Sequence, residues 1–467
     1  MRSLRPLALM LASALLYAYA WHGPVGWVAG WLWPLPALLA APTGGPFREA
    51  GWAFGAWCLG ALAWWPLEHS VIPLPIFALA HLAMALPFAL AVFLYALCRQ
   101  RRQAWAPWVF AASFTLLTAL ITTFSPHGTW GLLVYTQTWT PLLQALAWGG
   151  PFLLFFAMAA LPAALASWRL HPGPEARRNG GVALGLFAWL LTGGLLRIQT
   201  TNITPSLSVG LMADDRVVAD IGHEEADRVL PIVAGFATEA TALAARGAQI
   251  IVLPEKAMSM TPSFEAEVDR RLAAAAPKAI LIAGLNGMGR PLKLNVARVY
   301  AGGQPRASLL KRHLVPGWEA GYAVGPGPLT WPAADTRLGL AICKDFDFTD
   351  TSRSLSRADA RLVLAPAWDF AGTEAIHAQM ARFRAVEGGF ALARCAQEGR
   401  LDAWDAFGRS LGSASTDGGK ATLMAVLPLG PGTTPYARWG EWICVVSGVL
   451  LLLAAASWVR GPGESAT

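Results

Sequence analysis

The stretch Leu338-Gly-Leu-Ala-Ile-Cys343-Lys-Asp345 is a short apolar run that ends on a cysteine and two charged residues. Its length predicts a strand, and a strand delivers its last residue to the rim of a sheet, where α/β enzymes place their chemistry. Cys343 is therefore a candidate nucleophile. Polar residues at 347–352 offer N-caps for a following helix, whose positive end would favour the thiolate. The alternative is a small buried hydrophobic residue, the commoner role of a lone cysteine in a strand.

Two other apolar runs also end on charged residues. Ile250-Ile-Val-Leu-Pro-Glu255 ends on a carboxylate, and Ser308-Leu-Leu-Lys311 ends on an ammonium group. A carboxylate can accept the thiol proton, an ammonium group can stabilise an oxyanion, and a thiol can carry an acyl group. Glu255, Lys311 and Cys343 are therefore the predicted catalytic residues. Each of the first two also fits a simple turn or a solvated loop when taken alone.

This ordered set of Glu, Lys and Cys resembles the nitrilase (carbon-nitrogen hydrolase) superfamily. Residues 311–316 read Lys-x-His-Leu-Val-Pro, with Glu319 shortly after, and look like a segment of the membrane-embedded apolipoprotein N-acyltransferase branch. Residues 377–387, with the pattern His-x-x-Met-Ala-x-x-Arg-Ala-x-Glu, resemble a helix of the same branch, and Asn295 resembles its Asn-Ser-Ala strand. The resemblance runs from about Ser206 to the C-terminus and implies the four-layer αββα nitrilase fold.

The resemblance also implies a reaction. Glu255 would take the proton of Cys343, which would attack an ester of a phospholipid acyl donor while Lys311 held the oxyanion. The acyl group would then pass from the thioester to the N-terminal amine of a diacylglyceryl-cysteine lipoprotein. Glu319 would support the site by positioning Lys311 or the incoming amine, and Asp345 would stand in for a family glutamate. No cofactor is expected.

Departures from the family pattern leave other functions open. Lys344-Asp345 follows the cysteine where an aromatic residue and Glu are typical, Ala365-Pro-Ala-Trp368 replaces Asn-Asp-Ala-Trp, and Arg394-Cys-Ala-Gln-Glu-Gly399 replaces Arg-x-Thr-Asn-x-Gly. One alternative is a divergent membrane-bound carbon-nitrogen hydrolase or acyltransferase acting on another amine or amide. A second is a non-catalytic scaffold, which would not require the three catalytic residue types.

The composition is that of a membrane protein, because 55% of residues are hydrophobic, only 14% are charged and the mean hydropathy is +0.43. We expect a transmembrane bundle at 1–200, an extracytoplasmic nitrilase-like domain at 201–438, and a C-terminal transmembrane helix with a short tail at 439–467. The apolar runs predict about seven spans in the bundle and an eighth after the domain, near 6–20, 23–41, 49–66, 73–97, 106–124, 141–167, 182–196 and 441–458.

The basic residues of the loops predict the orientation. They lie at the start of the chain, in every second loop between the predicted spans and after the last span, and therefore on one side of the membrane. These residues are Arg2, Arg5, Arg48, Arg99, Arg101, Arg102, Arg169, Arg177, Arg178 and Arg460. The positive-inside rule then puts the N-terminus in the cytoplasm and the catalytic domain in the periplasm, across a bacterial inner membrane. The first apolar run is read as an uncleaved span. Since the arginines lie at membrane edges, the net charge of +7 does not indicate nucleic acid binding.

The five cysteines do not form a framework. Only Cys343 and Cys395 fall in the outward domain, where a disulfide between them is an alternative to a free nucleophile because that compartment is oxidising. No Cys-x-x-Cys or His-Glu-x-x-His spacing occurs, so a zinc site is not expected.

Within the domain, short apolar runs alternate with longer amphipathic ones. Strands are predicted at 206–212, 249–253, 279–284, 293–301, 307–310, 338–343, 361–365, 390–395 and 423–427, and helices at 224–246, 264–275, 352–360 and 373–387. Between Lys311 and Cys343 we expect a Gly/Pro-rich loop, in which Trp318, Tyr322 and Trp331 are candidates to face lipid.

Overall fold

A computed structural model describes residues 4–23, 25–40, 45–69, 71–201, 205–333 and 336–459. The chain divides into two compact units. One is helical and combines Met1–Gln199 with Trp439–Thr467, and the other is an α/β unit over Thr200–Arg438.

The helical unit contains ten helices before the α/β unit and one after it among the described residues. They are α1 Arg5–His22, α2 Gly26–Leu32, α3 Pro34–Leu39, α4 Pro46–Ala61, α5 Trp65–Glu68, α6 Leu74–Gln100, α7 Ala106–Phe124, α8 Thr140–Leu143, α9 Ala145–Leu170, α10 Pro174–Thr200 and a C-terminal helix, Trp442–Val459. Of these, α6, α7, α9 and α10 are long and apolar enough to cross a membrane. The C-terminal helix is apolar but shorter.

The stretch predicted as one span at 23–41 contains two short helices, α2 and α3, which meet at Trp33. Pro34 opens α3, and a proline has no backbone N–H to continue the hydrogen-bond ladder of the preceding helix. A second break lies inside α9, where Gly150 has a φ of +67° directly before Pro151. The remaining predicted spans each overlap a helix.

Aromatic packing and buried polar contacts hold the helical unit together. Trp33 lies against Tyr17, Trp57 and Phe88, with ring centroids 5.3, 5.4 and 4.4 Å away. Arg99 of α6 donates to Glu49 of α4 at 2.5 Å. In a bundle, such a pair keeps both charges away from lipid.

The α/β unit contains two sheets. The first has the order β13-β1-β2-β4-β5-β6, with β3 paired to β4, and the second has the order β12-β11-β10-β9-β8-β7. The strands are β1 Ser206–Asp214, β2 Ile250–Val252, β3 Met258–Met260, β4 Ile280–Gly287, β5 Leu294–Ala301, β6 Gln304–Leu310, β7 Leu329–Ala333, β8 Thr336–Leu340, β9 Leu362–Trp368, β10 Ala391–Gln397, β11 Arg400–Trp404, β12 Ser410–Ser415 and β13 Lys420–Pro428.

Helices cover the outer faces of both sheets. They are α11 Ala226–Ala245 and α12 Glu265–Ala275 on the first sheet, and α13 Thr349–Arg357 and α14 Glu374–Gly388 on the second. A short helix, α15, follows at Pro435–Trp439. The inner faces meet in one core that includes Leu211 and Leu364, while Met212 points to the helix side because side chains alternate along a strand. The predicted combination of a polytopic membrane bundle and a four-layer αββα domain is confirmed.

The helix α11 also satisfies the length and hydropathy of a membrane span. Its buried face nevertheless packs on the first sheet through Val229, Val233 and Phe236. An amphipathic helix that buries one stripe on a sheet is the pattern of a globular domain, so α11 is a layer of the α/β unit.

Every strand and helix predicted for the α/β unit overlaps an observed element, but four strands were missed. The segment before Cys343 is not wholly a loop, because Leu329–Ala333 forms β7 and pairs with β8. Its Trp331-Pro332 sequence suits an edge strand, where a missing N–H faces outward. Trp331, one of the candidates to face lipid, is partly buried and packs against the core.

Candidate active site

The three predicted catalytic residues all follow strand ends. Glu255 lies three residues after β2, Lys311 comes directly after β6, and Cys343 opens a 3₁₀ turn, Cys343–Asp347, just after β8. The strands β2 and β6 belong to the first sheet and β8 to the second, so the packing of the two sheets builds the site. The backbone N–H of Glu255 donates to the carbonyl of Ala367 on β9, at 3.2 Å, which ties the carboxylate segment to the second sheet.

Glu255 and Lys311 form a buried ion pair. The Nζ of Lys311 donates to Oε1 of Glu255 at 2.7 Å and lies 2.9 Å from Oε2 of Glu319. The side-chain amide of Asn295 donates to the same two carboxylates, at 2.6 and 2.7 Å. The side chains of Lys311 and Glu255 are only 1% and 2% exposed, so this network of partners is what makes their burial tolerable.

Glu319 accepts hydrogen bonds on both oxygens. Besides Lys311 and Asn295, its donors are the backbone N–H of Val315, at 2.8 Å, and the Nζ of Lys256, at 3.1 Å. Burial acts to raise the pKa of Glu319, but the charges of Lys311 and Lys256 outweigh it and lower the pKa to about 2. Of the two roles considered for Glu319, positioning Lys311 agrees with these contacts, since its oxygens are already occupied and receiving an amine would displace them.

The ammonium group of Lys311 stays charged. Burial alone would lower its pKa, but the negative charges of Glu255, of the Cys343 thiolate when it forms, and of Glu319 hold the pKa well above its usual value. A permanent positive charge on a buried side chain is suited to stabilising an oxyanion.

Cys343 is held as a protonated thiol. Burial raises its pKa and the charge of Glu255 raises it further, against the opposing effects of Lys311 and Arg394. The thiol donates to the carbonyl of Trp368 at 3.4 Å. The backbone of Cys343 has a φ of +42°, a strained conformation for a residue with a side chain, of the kind that concentrates at functional sites.

The predicted helix N-cap that would favour the thiolate is wrong. A 3₁₀ turn separates the cysteine from α13, and the N-cap residue of α13 is Phe348, which makes no side-chain cap. The thiol therefore needs a base, and Glu255 is the carboxylate whose charge acts most strongly on it.

Asp345 links the turn of the cysteine to the segment of the lysine. Its carboxylate accepts the backbone N–H groups of Ile342, at 3.0 Å, and His313, at 2.9 Å, and lies 3.1 Å from Nδ1 of His313. The His313 ring stacks on Phe348 with centroids 3.7 Å apart. Asp345 thus joins the backbone of the two segments, while Lys344 pairs with Asp347 at 3.0 Å.

Two residues that contact the Glu255 segment carry little signal in the sequence. Lys256 carried no signal beyond its position next to Glu255, and Gln397 lay in a segment that departs from the family pattern. Gln397 donates its side-chain amide to the carbonyl of Glu255 at 2.8 Å. Asn295 lies in a strand that resembles the family's Asn-Ser-Ala strand, and this resemblance is its signal in the sequence.

The two cysteines of the α/β unit are both free. Cys395 is fully buried on β10 and its thiol donates to the carbonyl of Met212 at 3.2 Å, so the alternative of a disulfide with Cys343 is not formed in this structure. Over the described part of the chain, no group of three or more His, Cys, Asp or Glu side chains is arranged to hold a metal ion.

Known proteins match both the domain and the whole chain. Residues 224–415 match the Carbon-nitrogen hydrolase family. The chain is 27% identical over 477 residues to an apolipoprotein N-acyltransferase of Azotobacter vinelandii, covering 90% of each chain. It is 26% identical over 484 residues to one of Pseudomonas putida, covering 90% of this chain and 92% of the relative.

Among solved structures, an amidase from Nesterenkonia sp. aligns with 49% of this chain and 94% of its own, at 21% identity and a TM-score of 0.39. The full-length similarity to the two curated relatives and the family match of residues 224–415 confirm the resemblance expected from the motifs.

Proposed function

We propose that this apolipoprotein N-acyltransferase-like membrane protein of the nitrilase superfamily transfers a fatty acyl chain from a phospholipid to the N-terminal amine of a diacylglyceryl-cysteine lipoprotein. The observation that carries the proposal is the buried pair of Glu255 and Lys311, 2.7 Å apart, whose charges both act on the thiol of Cys343. A base, an oxyanion stabiliser and a nucleophile are the groups that acyl transfer through a thioester needs.

In the first half-reaction, Glu255 accepts the thiol proton and the sulfur of Cys343 attacks an ester carbonyl of the donor. The carbonyl oxygen becomes an oxyanion next to the ammonium group of Lys311. The ester C–O bond then breaks, and the leaving alkoxide takes the proton from Glu255. The products are an S-acyl Cys343 and a lysophospholipid.

In the second half-reaction, the acceptor amine attacks the thioester carbonyl. Glu255 accepts a proton from the attacking nitrogen, the C–S bond breaks, and the proton returns to the sulfur of Cys343. Throughout both halves, Glu319 holds Lys311 in place with its second hydrogen bond, 2.9 Å long. The enzyme ends each cycle in its starting protonation state.

The membrane helices give this chemistry a physical reason. Donor and acceptor both carry acyl chains, which can stay in the bilayer while their polar parts reach the site. We place the protein in a bacterial inner membrane with the α/β unit in the periplasm, because the predicted outward loops carry no Lys or Arg. A membrane-impermeant thiol reagent should then label Lys278→Cys, on an exposed loop, in intact spheroplasts of a strain whose other cysteines in this protein are replaced. Labelling only after lysis would contradict this orientation.

A transfer assay tests the proposed function. Purified protein in detergent is incubated with acyl-labelled phosphatidylethanolamine and a synthetic diacylated lipopeptide, and the lipopeptide should gain one amide-linked acyl chain. Cys343→Ser should abolish transfer, whereas Cys395→Ser, the matched change at the second thiol of the same unit, should retain it.

The outcomes separate the functions considered. Acylation of the protein without transfer to the lipopeptide would favour a divergent carbon-nitrogen hydrolase or acyltransferase that uses another acceptor. That reading draws on Lys344 and Asp345, which follow the cysteine in place of the family pattern. If the protein shows no acylation and no transfer, the proposed function is overturned.

A further inference from the structure

Lys256 is the outermost charged group of the active-site cluster. Its side chain is 14% exposed, compared with 1% for Lys311, 2% for Glu255 and 3% for Glu319. Its Nζ lies 3.1 Å from Oε1 of Glu319 and 5.1 Å from the ring centroid of Tyr322. It therefore presents a fixed positive charge where the cluster opens to solvent.

The backbone at Lys256 is strained. Its φ of +49° lies in the left-handed region, which glycine or asparagine adopts at lower cost. Strain of this kind costs on the order of 1–3 kcal/mol and is kept where the surrounding structure holds it for a purpose. A lysine at this position indicates that the side chain, and not the turn alone, is what the site requires.

The ammonium group of Lys256 has donors to spare. It carries three N–H groups, and among the described residues Glu319 is its hydrogen-bond acceptor. The faces of Tyr322 and Trp368, each with its centroid 5.1 Å away, hold the group by cation–π attraction and accept no conventional hydrogen bond. Two N–H groups are thus available to an anionic ligand.

Charge balance points to the same class of ligand. The cluster has two carboxylates, Glu255 and Glu319, and two ammonium groups, Lys311 and Lys256. Without Lys256 the cluster would carry a net negative charge and repel an anion. With Lys256 it is neutral, and its exposed edge is positive.

We propose that Lys256 is a specificity-determining residue that binds the phosphodiester of the acyl donor. This inference rests on the proposed function. In a glycerophospholipid, only the glycerol backbone separates the ester carbonyls from the phosphodiester, so a cation adjoining the base is placed to meet that phosphate when an ester reaches Cys343.

Two donors that share their esters and differ in the phosphate test the inference. Formation of S-acyl Cys343 is measured in single turnovers with dipalmitoyl phosphatidylglycerol and with dipalmitoylglycerol, in mixed micelles. Lys256→Met should lower the apparent second-order rate constant of acylation by the phosphate donor by about tenfold or more, mainly through weaker donor binding, because a charge-assisted hydrogen bond is lost. The value for dipalmitoylglycerol should change little.

Two further variants serve as controls. Lys256→Arg keeps the charge and should retain most of the preference for the phosphate donor. Lys293→Met removes an exposed lysine whose backbone pairs with Tyr322, and should leave the ratio between the donors unchanged.

An equal loss with both donors in Lys256→Met would overturn the inference, since Lys256 would then act only through Glu319. A wild-type protein that acylates Cys343 with neither donor would instead count against the proposed function itself, so the two failures are distinguishable.

Discussion

Two of the buried groups of charged side chains in the α/β unit differ in kind. On α14, Arg384 and Glu387 are both fully buried, and Nη1 of Arg384 donates to the two oxygens of Glu387 at 2.5 and 2.6 Å. At the strand ends, Glu255 and Lys311 are nearly as buried, but the cluster around them includes a second carboxylate and a thiol. Burial of charge alone therefore does not mark a catalytic site.

The contacts and the backbone conformation around the two groups distinguish a structural ion pair from a candidate catalytic cluster. Arg384 also donates through Nε to the carbonyl of Phe346, at 2.8 Å, and so fixes the turn that begins with Cys343. The backbone around that pair is regular helix, whereas Cys343 and Lys256 have positive φ values beside the Glu255 cluster. The second group thus combines a protonated thiol, on which the charge of Glu255 acts, with backbone strain, and both features concentrate at functional sites.

The largest expected difference is in activity. Glu255→Gln should lower acyl transfer by about a hundredfold to ten-thousandfold, because the amide cannot accept the thiol proton. The fold should be kept, since the amide oxygen can still accept from Lys311 and Asn295. Single-turnover transfer and thermal unfolding in detergent measure the two effects, with the exposed Glu224→Gln as control. Full activity in Glu255→Gln would remove the base from the mechanism.

Mutation of the Arg384–Glu387 pair on α14 should instead change the stability of the protein. Arg384→Met leaves Glu387 buried without its cation and should cost about 3–5 kcal/mol of unfolding free energy. Adding Glu387→Met to that variant should recover part of the loss, because no charge is then left buried. Urea unfolding in detergent measures both variants. If Arg384→Met unfolds like the wild type, the pair does not hold the turn.

Glu319 should show a smaller, pH-dependent effect. Its pKa falls from 4.5 to about 2 on folding, so its contribution is present above the unfolded pKa and is lost as the pH falls through about 2. Glu319→Gln should therefore destabilise the protein by about 1–3 kcal/mol at pH 7. The difference from the wild type should stay level down to about pH 5 and shrink toward pH 2. A difference that grows in acid would contradict the ion pair.

The smallest expected effects are opposite shifts in the titration of Cys343. Glu255 raises the pKa of the thiol and Lys311 lowers it. The pH midpoint for alkylation of Cys343 by iodoacetamide should then move down in Glu255→Gln and up in Lys311→Met, as read by mass spectrometry of the Cys343 peptide. Shifts in the same direction would mean that the two charges do not act on the sulfur as a pair.

The sequence predicted the elements of the site better than their contacts. The runs before Glu255, Lys311 and Cys343 are short and continuously apolar, so hydropathy alone predicted a strand before each residue, although β8 ends at Leu340, three residues before Cys343. The hydrogen bonds that occupy both oxygens of Glu319, and the position of Lys256 beside it, depend on segments distant in the chain. No local sequence pattern encodes them. The prediction of a helix that favours the thiolate was wrong for the same reason. Asp345 of the 3₁₀ turn accepts a hydrogen bond from His313, which belongs to another segment.

The missed elements follow a similar rule. The strand β12 is mostly exposed and rich in Ser and Gly, so its sequence lacks an apolar pattern, and it is held as a strand by its pairing with β11. In the helical unit, hydropathy found the apolar stretch at 23–41 but could not show that Pro34 divides it. Hydropathy thus predicted which stretches are apolar, while backbone geometry determines where the helices within them begin and end.

Trapping the acyl group on the sulfur tests the central claim most directly. The protein is incubated with a phospholipid donor in the absence of an acceptor, and its peptides are analysed by mass spectrometry before and after treatment with neutral hydroxylamine. One hydroxylamine-sensitive acyl group is expected on the peptide that contains Cys343, and none in Cys343→Ser. Acyl transfer to a lipopeptide with no such adduct, or with the adduct on Cys395, would contradict it.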